Sequence, residues 1–188
     1  MPVPYGNQRT PTAQWTATAA GCTILAAEGP GPYITHITCG KIVDKGIADA
    51  NNMGAAMAPA AYDCLSAFFQ DTGTKPQDYD LVITGDLGEL GHSIVRDFFS
   101  KDGIDMGNNF QDCGLLLYDR ESQDMHAGGS GCGCSASVLN GYLLSGMRDG
   151  KWSKILFAPT GALLSPTSSF QGESIPSICH AVCLSMKK

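Results

Sequence analysis

A glycine-rich stretch in the second half of the chain has the clearest potential for chemistry. It reads AGGSGCGCSA over residues 127–136, with four glycines among the six residues 128–133, and a run with helical spacing follows it directly. Glycine permits positive φ values and the close approach of a ligand or another backbone. A glycine-rich turn that opens a helix presents backbone N–H groups that suit an anion or a developing oxyanion. Ser130, Gly131, Cys132 and Gly133 are therefore candidate ligand-binding residues, and a tight turn packed against a neighbour is the alternative.

An acidic residue and a histidine upstream of this loop are the other candidate ligand-binding residues. Asp86 follows a predicted strand, and the carboxyl ends of strands are where α/β sheets place ligands. Capping of the following turn is its alternative role. His92 lies at a predicted helix start and is the best candidate for a pocket imidazole, with a surface or capping role as the alternative. His126 precedes the glycine loop and stays open, whereas His36 and His180 are predicted to be core residues of strands.

The elements that position these residues alternate between strands and helices. Strands are predicted over 16–25, 33–43, 79–84, 155–158 and 178–184, helices over 59–70, 90–101 and 135–147, a hairpin over 113–127, and a long loop over 160–173. Pro59 is predicted to be the first helical residue of its helix. This order predicts a layered α/β fold.

Composition excludes several classes of protein. Of the 188 residues, 43% are hydrophobic and 16% are charged, which is typical of a well-buried globular protein rather than a disordered one. The net charge is −6 and the 12 Lys and Arg residues are scattered along the sequence, which argues against nucleic acid and against an electrostatic membrane footprint. No apolar run is long enough to span a membrane, and the N-terminus lacks the apolar core of a signal peptide.

The eight cysteines lie in apolar stretches and most are predicted to be buried free thiols of a reducing compartment. No CxxC pair occurs and no His/Cys set has zinc spacing, so neither a metal site nor a cofactor is predicted. A redox or metal role for the Cys132-x-Cys134 pair is the alternative.

Five ordered blocks carry a resemblance to a known family. They are DAxxMGxAMAPAA from residue 49, DYDLVITGDL from 78, DCGLL from 112, AGGSGCxCSA from 127 and AxTGALLSPT from 158. From Tyr5 onward the chain resembles the stage V sporulation protein AD family, and its order of elements looks like the C-terminal half of the thiolase superfamily.

The resemblance implies a thiolase-like layered α/β/α fold of two halves, of which this chain supplies the C-terminal half. Residues 1–30 would be an N-terminal arm and the closing strand of the missing first half, and residues 31–188 the C-terminal half-domain. A truncated or split gene, or a misplaced start, would explain the missing half. In the two-half fold, helices of both halves share a central layer. Separation is then expected to uncover an apolar face, with Leu139 and Leu143 contributing to it.

For function, the resemblance implies a protein of the machinery that moves dipicolinic acid into the developing spore. The ligand would be dipicolinic acid or calcium dipicolinate, and the partners would be other proteins of the stage V sporulation A membrane complex. A homodimer or a first-half partner is also expected, and nucleic acid is not. The location would be the cytoplasm of the developing spore, peripheral to its inner membrane, without a transmembrane segment.

Thiolase-type catalysis is not expected, and no catalytic residue is assigned. The cysteine nucleophile of thiolases belongs to the missing half, and the resemblance places Ser130 where their catalytic histidine would stand. A serine hydroxyl is no proton acceptor near neutral pH. The alternatives are an acyltransferase with a separately encoded nucleophile half, using His92 or His126 as base, and a non-functional fragment.

Dipicolinate is a flat dianion, and the sequence holds no arginine cluster to pair with it. The backbone N–H groups of residues 130–134 are the expected donors to its charge. Asp86 would repel a bare carboxylate, so in the same pocket it should meet a calcium ion or a protonated group.

Overall fold

The structure is a computed structural model and describes residues 10–188, so the predicted arm at residues 1–11 lies almost wholly outside the described residues. The described strands are β1 (Trp15–Thr16), β2 (Tyr33–Thr38), β3 (Leu81–Thr84), β4 (Phe110–Asp112), β5 (Gly129–Ser130), β6 (Lys154–Ala158), β7 (Thr160–Ala162), β8 (Ser177–Cys179) and β9 (Ala181–Ser185). The helices are α1 (Met53–Thr72), α2 (Gly88–Lys101), α3 (Cys113–Leu117), α4 (Cys134–Val138), α5 (Leu144–Arg148) and α6 (Pro166–Phe170). A 3₁₀ turn spans Pro76–Asp78, and a π-helical turn, Leu139–Leu143, joins α4 to α5 into one continuous helix.

A five-stranded sheet forms the centre of the fold, in the order β2-β9-β6-β3-β4. The strand β3 is parallel to both β6 and β4, whereas β9 is antiparallel to β2 and β6. All four residues of β3 are buried. This agrees with the continuous apolar run of the strand, because a parallel strand covered on both faces needs apolar side chains on both.

Helices cover both faces of this sheet, which confirms the predicted layered α/β/α arrangement. On one face α1 and α2 pack around Leu65, Phe68 and Phe99, all with no exposed surface. On the other face the continuous helix 134–148 packs against Ile83 and Ile155 of the sheet. Cys113 and Leu117 of α3 pack into the same cluster as the helix 134–148.

The N-terminal boundary of α1 differs from the prediction. The helix begins at Met53 rather than at Pro59, which lies inside it. The side chain of Asn52 accepts a hydrogen bond from the N–H of Ala55 at 3.2 Å, so an asparagine N-cap starts the helix six residues earlier. The alanine-rich segment between them has high helix propensity, and this outweighs the proline signal.

The predicted strand 16–25 and the predicted hairpin 113–127 are wrong. Only Thr16 of the first segment is in a strand, because β1 ends there and its partner β5 is itself two residues long. The first arm of the hairpin is helix α3, since the carboxylate of Asp112 accepts a hydrogen bond from Gly114 N–H and caps a helix there. Its second arm, residues 123–127, contains no strand.

The last third of the chain is more divided than predicted. The expected loop 160–173 contains β7 and α6, and the expected strand 178–184 is split into β8 and β9 at His180. His180 is exposed and its Nδ1 accepts a hydrogen bond from Gly40 N–H at 3.1 Å. His36 is exposed as well, so the prediction of core positions is wrong for both histidines.

Within residues 10–188, no helix is both long enough and apolar enough to cross a membrane.

Candidate functional site

The candidate site lies where two parallel strands end. The register pairs Thr84, the last residue of β3, with Asp112, the last residue of β4. The turn 85–87 leads from β3 into α2, and α3 begins directly after β4. Because the carboxyl ends of parallel strands meet at one edge of the sheet, both helix starts come together there. We call the turn 85–88 and the glycine loop 128–133 together the junction.

A buried carboxylate, that of Asp112, holds the strand ends and helix starts of the junction together. It has no exposed surface and accepts hydrogen bonds from the Thr84 hydroxyl at 2.7 Å, Leu87 N–H at 3.0 Å, Gly88 N–H at 3.2 Å and Gly114 N–H at 3.0 Å. Burial raises the pKa of Asp112, and these four hydrogen bonds act in the opposite direction. Sequence analysis missed this role. The available signal was an aspartate directly before the apolar run at residues 113–118, the typical position of an N-cap.

Three of the predicted site residues are in direct contact at the junction. Asp86 Oδ2 accepts hydrogen bonds from the Ser130 hydroxyl at 2.8 Å and from Gly131 N–H at 3.0 Å. The strand end and the glycine loop thus form one cluster although 44 residues separate Asp86 from Ser130. The Gly131 N–H is therefore directed at a carboxylate of the protein itself. Burial raises the pKa of Asp86, whereas its hydrogen bonds to Ser130 and Gly131 lower it.

A buried amide from the N-terminal segment, Gln14, joins the two parts of the junction. Its Nε2 donates to the carbonyl of Asp86 at 2.9 Å and to the carbonyl of Gly129 at 3.2 Å. Next to it, β1 pairs in parallel with β5 and so extends along the glycine loop. Nothing in the local sequence around Gln14 indicated this contact, because its partners lie 72 and 115 residues away.

Close backbone packing explains one of the loop glycines, and a positive φ explains another. A Cβ on Gly133 would lie 2.1 Å from the carbonyl oxygen of Ala19, and Gly131 has a φ of +98°. A side chain at the first position would collide with backbone, and at the second it would be strained. Cys132 is exposed, whereas Cys134 is buried.

The two histidines considered as site groups make their contacts elsewhere. The His92 ring stacks on Phe110, with ring centroids 4.4 Å apart, and its Nε2 lies 3.2 Å from the Phe110 carbonyl oxygen at the start of β4. Burial lowers the pKa of His92. His126 is exposed and its Nε2 lies 3.4 Å from a carboxylate oxygen of Asp124.

The thiols and carboxylates do not assemble a metal site in the described part of the chain, where no group of three or more His, Cys, Asp or Glu side chains could hold an ion. All eight cysteines are free, and five of them are buried, as predicted.

A pH-dependent contribution to stability is expected from Asp86. Its pKa in the folded state is raised above that of the unfolded chain, so the folded state binds the proton more tightly. This contribution is fully present below the unfolded pKa and is lost as pH rises through the folded pKa. The Asp86→Asn variant does not titrate at this position, so its free energy of unfolding should increase relative to that of the wild type as pH rises from about 4 to 7.

Urea denaturation at several pH values measures this difference. Asp97→Asn, on the exposed side of α2, is the matched control because it removes the same charge far from the junction. A difference between Asp86→Asn and the wild type that stays constant with pH, or that falls as pH rises, would contradict the expectation.

Comparison with known proteins gives a family match over nearly the whole chain. A family model described as stage V sporulation protein AD matches residues 1–185. Stage V sporulation protein AD of Bacillus subtilis (strain 168) is 44% identical over 181 residues, which are 96% of this chain and 53% of the relative. The chain thus spans about half the length of the curated relative it matches.

Two solved structures resemble the fold. The 3-oxoacyl-[acyl-carrier-protein] synthase III of Aquifex aeolicus VF5 matches with a TM-score of 0.44 and 13% identity, over 79% of this chain and 44% of that one. Human mitochondrial 3-ketoacyl-CoA thiolase matches with a TM-score of 0.40 and 16% identity, over 81% of this chain and 30% of that one.

Proposed function

We propose, because the chain belongs to the stage V sporulation protein AD family, that it is a sporulation protein whose junction binds dipicolinate as its calcium chelate. The observation that carries the proposal is the position of Asp86 among the donors of the glycine loop. In such an arrangement the carboxylate can bind a positively charged part of a ligand, while the hydroxyl and N–H donors bind a negatively charged part. The proposed setting is the developing spore, beside its inner membrane and together with other proteins of the stage V sporulation A complex.

The carboxylate of Asp86 favours the chelate over the bare dianion. One of its oxygens, Oδ2, accepts from Ser130 and Gly131, while Oδ1 has no hydrogen-bond partner among residues 10–188. A bare dicarboxylate at the junction would face this charge and be repelled. Calcium prefers carboxylate oxygens. In the chelate, the two carboxylates and the ring nitrogen of dipicolinate fill three of the roughly six to eight ligand positions, and water fills most of the others. A single protein carboxylate can then complete the contact, so a cluster of acidic side chains is not required.

The same contacts argue against the alternative of acyl transfer. The Ser130 hydroxyl donates a hydrogen bond to Asp86, and a serine hydroxyl does not act as a base near neutral pH. His92 and His126, the substitute bases, contact Phe110 and Asp124 instead of Asp86 or Ser130. Among residues 10–188, no contact at the junction favours a transferase over a binding protein.

Calorimetry on the chain, with calcium dipicolinate and with dipicolinate in excess chelator, tests the proposal. We expect the calcium form to bind and Asp86→Asn to weaken it by about tenfold or more, since one charge-assisted contact contributes about 1.5–3 kcal/mol. Ser130→Ala should weaken it by about 0.5–1.5 kcal/mol, the contribution of one ordinary hydrogen bond. Gly131→Val should abolish binding, because valine avoids the φ of +98° and displaces the loop.

The Asp86→Asn variant separates the two forms of the ligand. If the junction instead binds the bare dianion, removal of the negative charge strengthens binding. If neither form binds, or if Asp97→Asn on the far side of α2 has the same effect as Asp86→Asn, the junction is not the site.

A further inference from the structure

Four lysines meet at the end of the sheet opposite to the junction. Lys151 and Lys154 lie just before and at the start of β6, and Lys187 and Lys188 follow the end of β9. These two segments are neighbours because β6 and β9 are antiparallel, with Lys154 paired to Ser185 and Met186 N–H donating to the Ser153 carbonyl at 2.8 Å. We call these four residues the lysine corner.

Three of the four ammonium groups of the corner lie over aromatic rings. Lys151 Nζ lies 4.4 Å from the ring centre of Trp152 and 4.6 Å from that of Tyr142. Lys154 Nζ lies 4.4 Å from the ring centre of Tyr79, and Lys188 Nζ lies 5.2 Å from that of Tyr33. Tyr142 is 43% exposed. Lysines next to exposed or partly exposed rings, here Tyr33, Tyr142 and Trp152, combine positive charge with surface that tolerates an interface between water and lipid.

The acidic residues near the corner do not neutralise it. Asp80 is adjacent, but its Oδ2 accepts hydrogen bonds from the N–H groups of Ser153 and Lys154. Asp149 lies in the turn before Lys151, and the exposed Arg148 precedes it. Counting Arg148, five cations therefore lie near three carboxylates, those of Asp78, Asp80 and Asp149, in a chain whose net charge is −6.

This grouping of lysines is visible only in the folded chain. In the sequence, the pair 151 and 154 is separated by more than 30 residues from the pair 187 and 188. The antiparallel register of β6 and β9 places the pairs side by side.

We propose that the lysine corner binds the surface of an anionic phospholipid bilayer. Clusters of four to eight basic residues bind such surfaces, at about 1 kcal/mol for each. The ammonium groups of Lys151, Lys154 and Lys188 lie over rings on separate elements, and Tyr33, Ser185 and Lys154 are in register on three adjacent strands. Neighbouring strands are about 4.8 Å apart, so the charges are spread over roughly 10 Å or more. An extended sheet of phosphate groups matches this spread better than one small anion or one acidic side chain does.

The corner lies at the amino end of β6, and the junction lies at the carboxyl end of β3, which is parallel to β6. A chain bound to a bilayer by the corner thus keeps its junction on the side facing away from the lipid.

Sedimentation with phosphatidylglycerol vesicles tests the proposal, with phosphatidylcholine vesicles as the neutral surface. We expect binding to the anionic vesicles alone, and a loss of that binding as salt is raised from 50 to about 300 mM. The triple variant Lys151→Gln, Lys187→Gln, Lys188→Gln should lower the partition coefficient about 100-fold, which is about fivefold for each lysine. Lys154 is left in place because its ammonium group lies over the ring of the buried Tyr79.

The matched control is Lys45→Gln, Lys75→Gln, Lys101→Gln, which makes the same change in net charge at exposed positions outside the corner. We expect it to lower the partition coefficient less than tenfold, and circular dichroism checks that both variants are folded. Equal losses in both variants, equal binding to the two kinds of vesicle, or no binding at low salt would overturn the proposal. Binding to polyglutamate without binding to vesicles would identify an acidic protein surface as the partner and would also overturn it.

Discussion

Replacement of Asp112 by alanine is expected to destabilise the folded chain by about 3–5 kcal/mol. The carboxylate is fully buried and accepts four hydrogen bonds, so its removal leaves three backbone N–H groups and the Thr84 hydroxyl without this acceptor. Gly114 N–H and the Thr84 hydroxyl keep second acceptors, the carbonyls of Gly85 at 3.1 Å and Gln111 at 3.3 Å. A buried donor left without any partner costs about 1–3 kcal/mol, so the loss comes mainly from the N–H groups of Leu87 and Gly88. For a domain with a total stability of about 5–15 kcal/mol, this is a large fraction.

Urea denaturation measures the loss, with Asp112→Asn as the conservative variant. Asparagine keeps one acceptor oxygen but turns an NH₂ group toward N–H donors, so we expect roughly half of the loss caused by alanine. Asp97→Ala, at an exposed position of α2, should change the stability by less than about 0.5 kcal/mol. A loss below about 1 kcal/mol in Asp112→Ala would show that the junction does not depend on this carboxylate.

The second large expected effect is association of the chain. It is expected to bind either a second copy of itself or a polypeptide corresponding to the part of the relative that this chain does not match. The helix 134–148 leaves part of its sheet face uncovered, and an apolar groove of about 770 Å³ lies beside it. Its apolar lining consists of Ile24, Leu25, Ile34, Leu139, Leu144, Phe157, Val182 and Leu184. Ile24 is 88% exposed and Leu25 is 75% exposed. Exposed apolar patches of this kind mark interfaces or aggregation sites.

One residue expected on that face lies elsewhere. Leu139 lines the groove as expected, but Leu143 has no exposed surface and packs into the core between the helix and its own sheet. Leu139 and Leu143 are the first and last residues of the π-helical turn that joins α4 to α5. Because this turn departs from α-helical spacing, the two side chains do not lie on the same face of the helix.

Light scattering at tens of micromolar tests the association. The double variant Ile24→Asp, Ile34→Asp should weaken it by more than 100-fold, because burial of each isoleucine contributes about 1.5–3 kcal/mol. Ile42→Asp, which is 73% exposed in the wild type and lies outside the groove, is the control and should leave association unchanged. A monomeric wild type with no dye-accessible apolar surface would contradict the expectation.

Features that depend on short stretches of sequence were predictable. The apolar run of β3, the helix that follows it, and the glycine loop opening the helix 134–148 all agree with the structure, because their signals are local apolar periodicity and glycine placement. The ordered sequence blocks likewise carried the family resemblance. Asp86 was predicted as a ligand-binding candidate because strand ends collect such residues in α/β sheets, but its contact with the glycine loop was not predicted.

Tertiary structure decided the features whose partners are distant in sequence. Gln14 and Asp112 contact the junction because β1 runs along the glycine loop and β4 ends beside β3. No local sequence pattern encodes either strand pairing. The capping carboxylate of Asp112 also turned a predicted strand into α3. The lysine corner depends on the antiparallel register of β6 and β9. The sequence by itself therefore determined the family, the layers and the main helices. Long-range strand pairing decided which polar and charged groups meet, because side-chain contacts depend on distances that only the folded backbone defines.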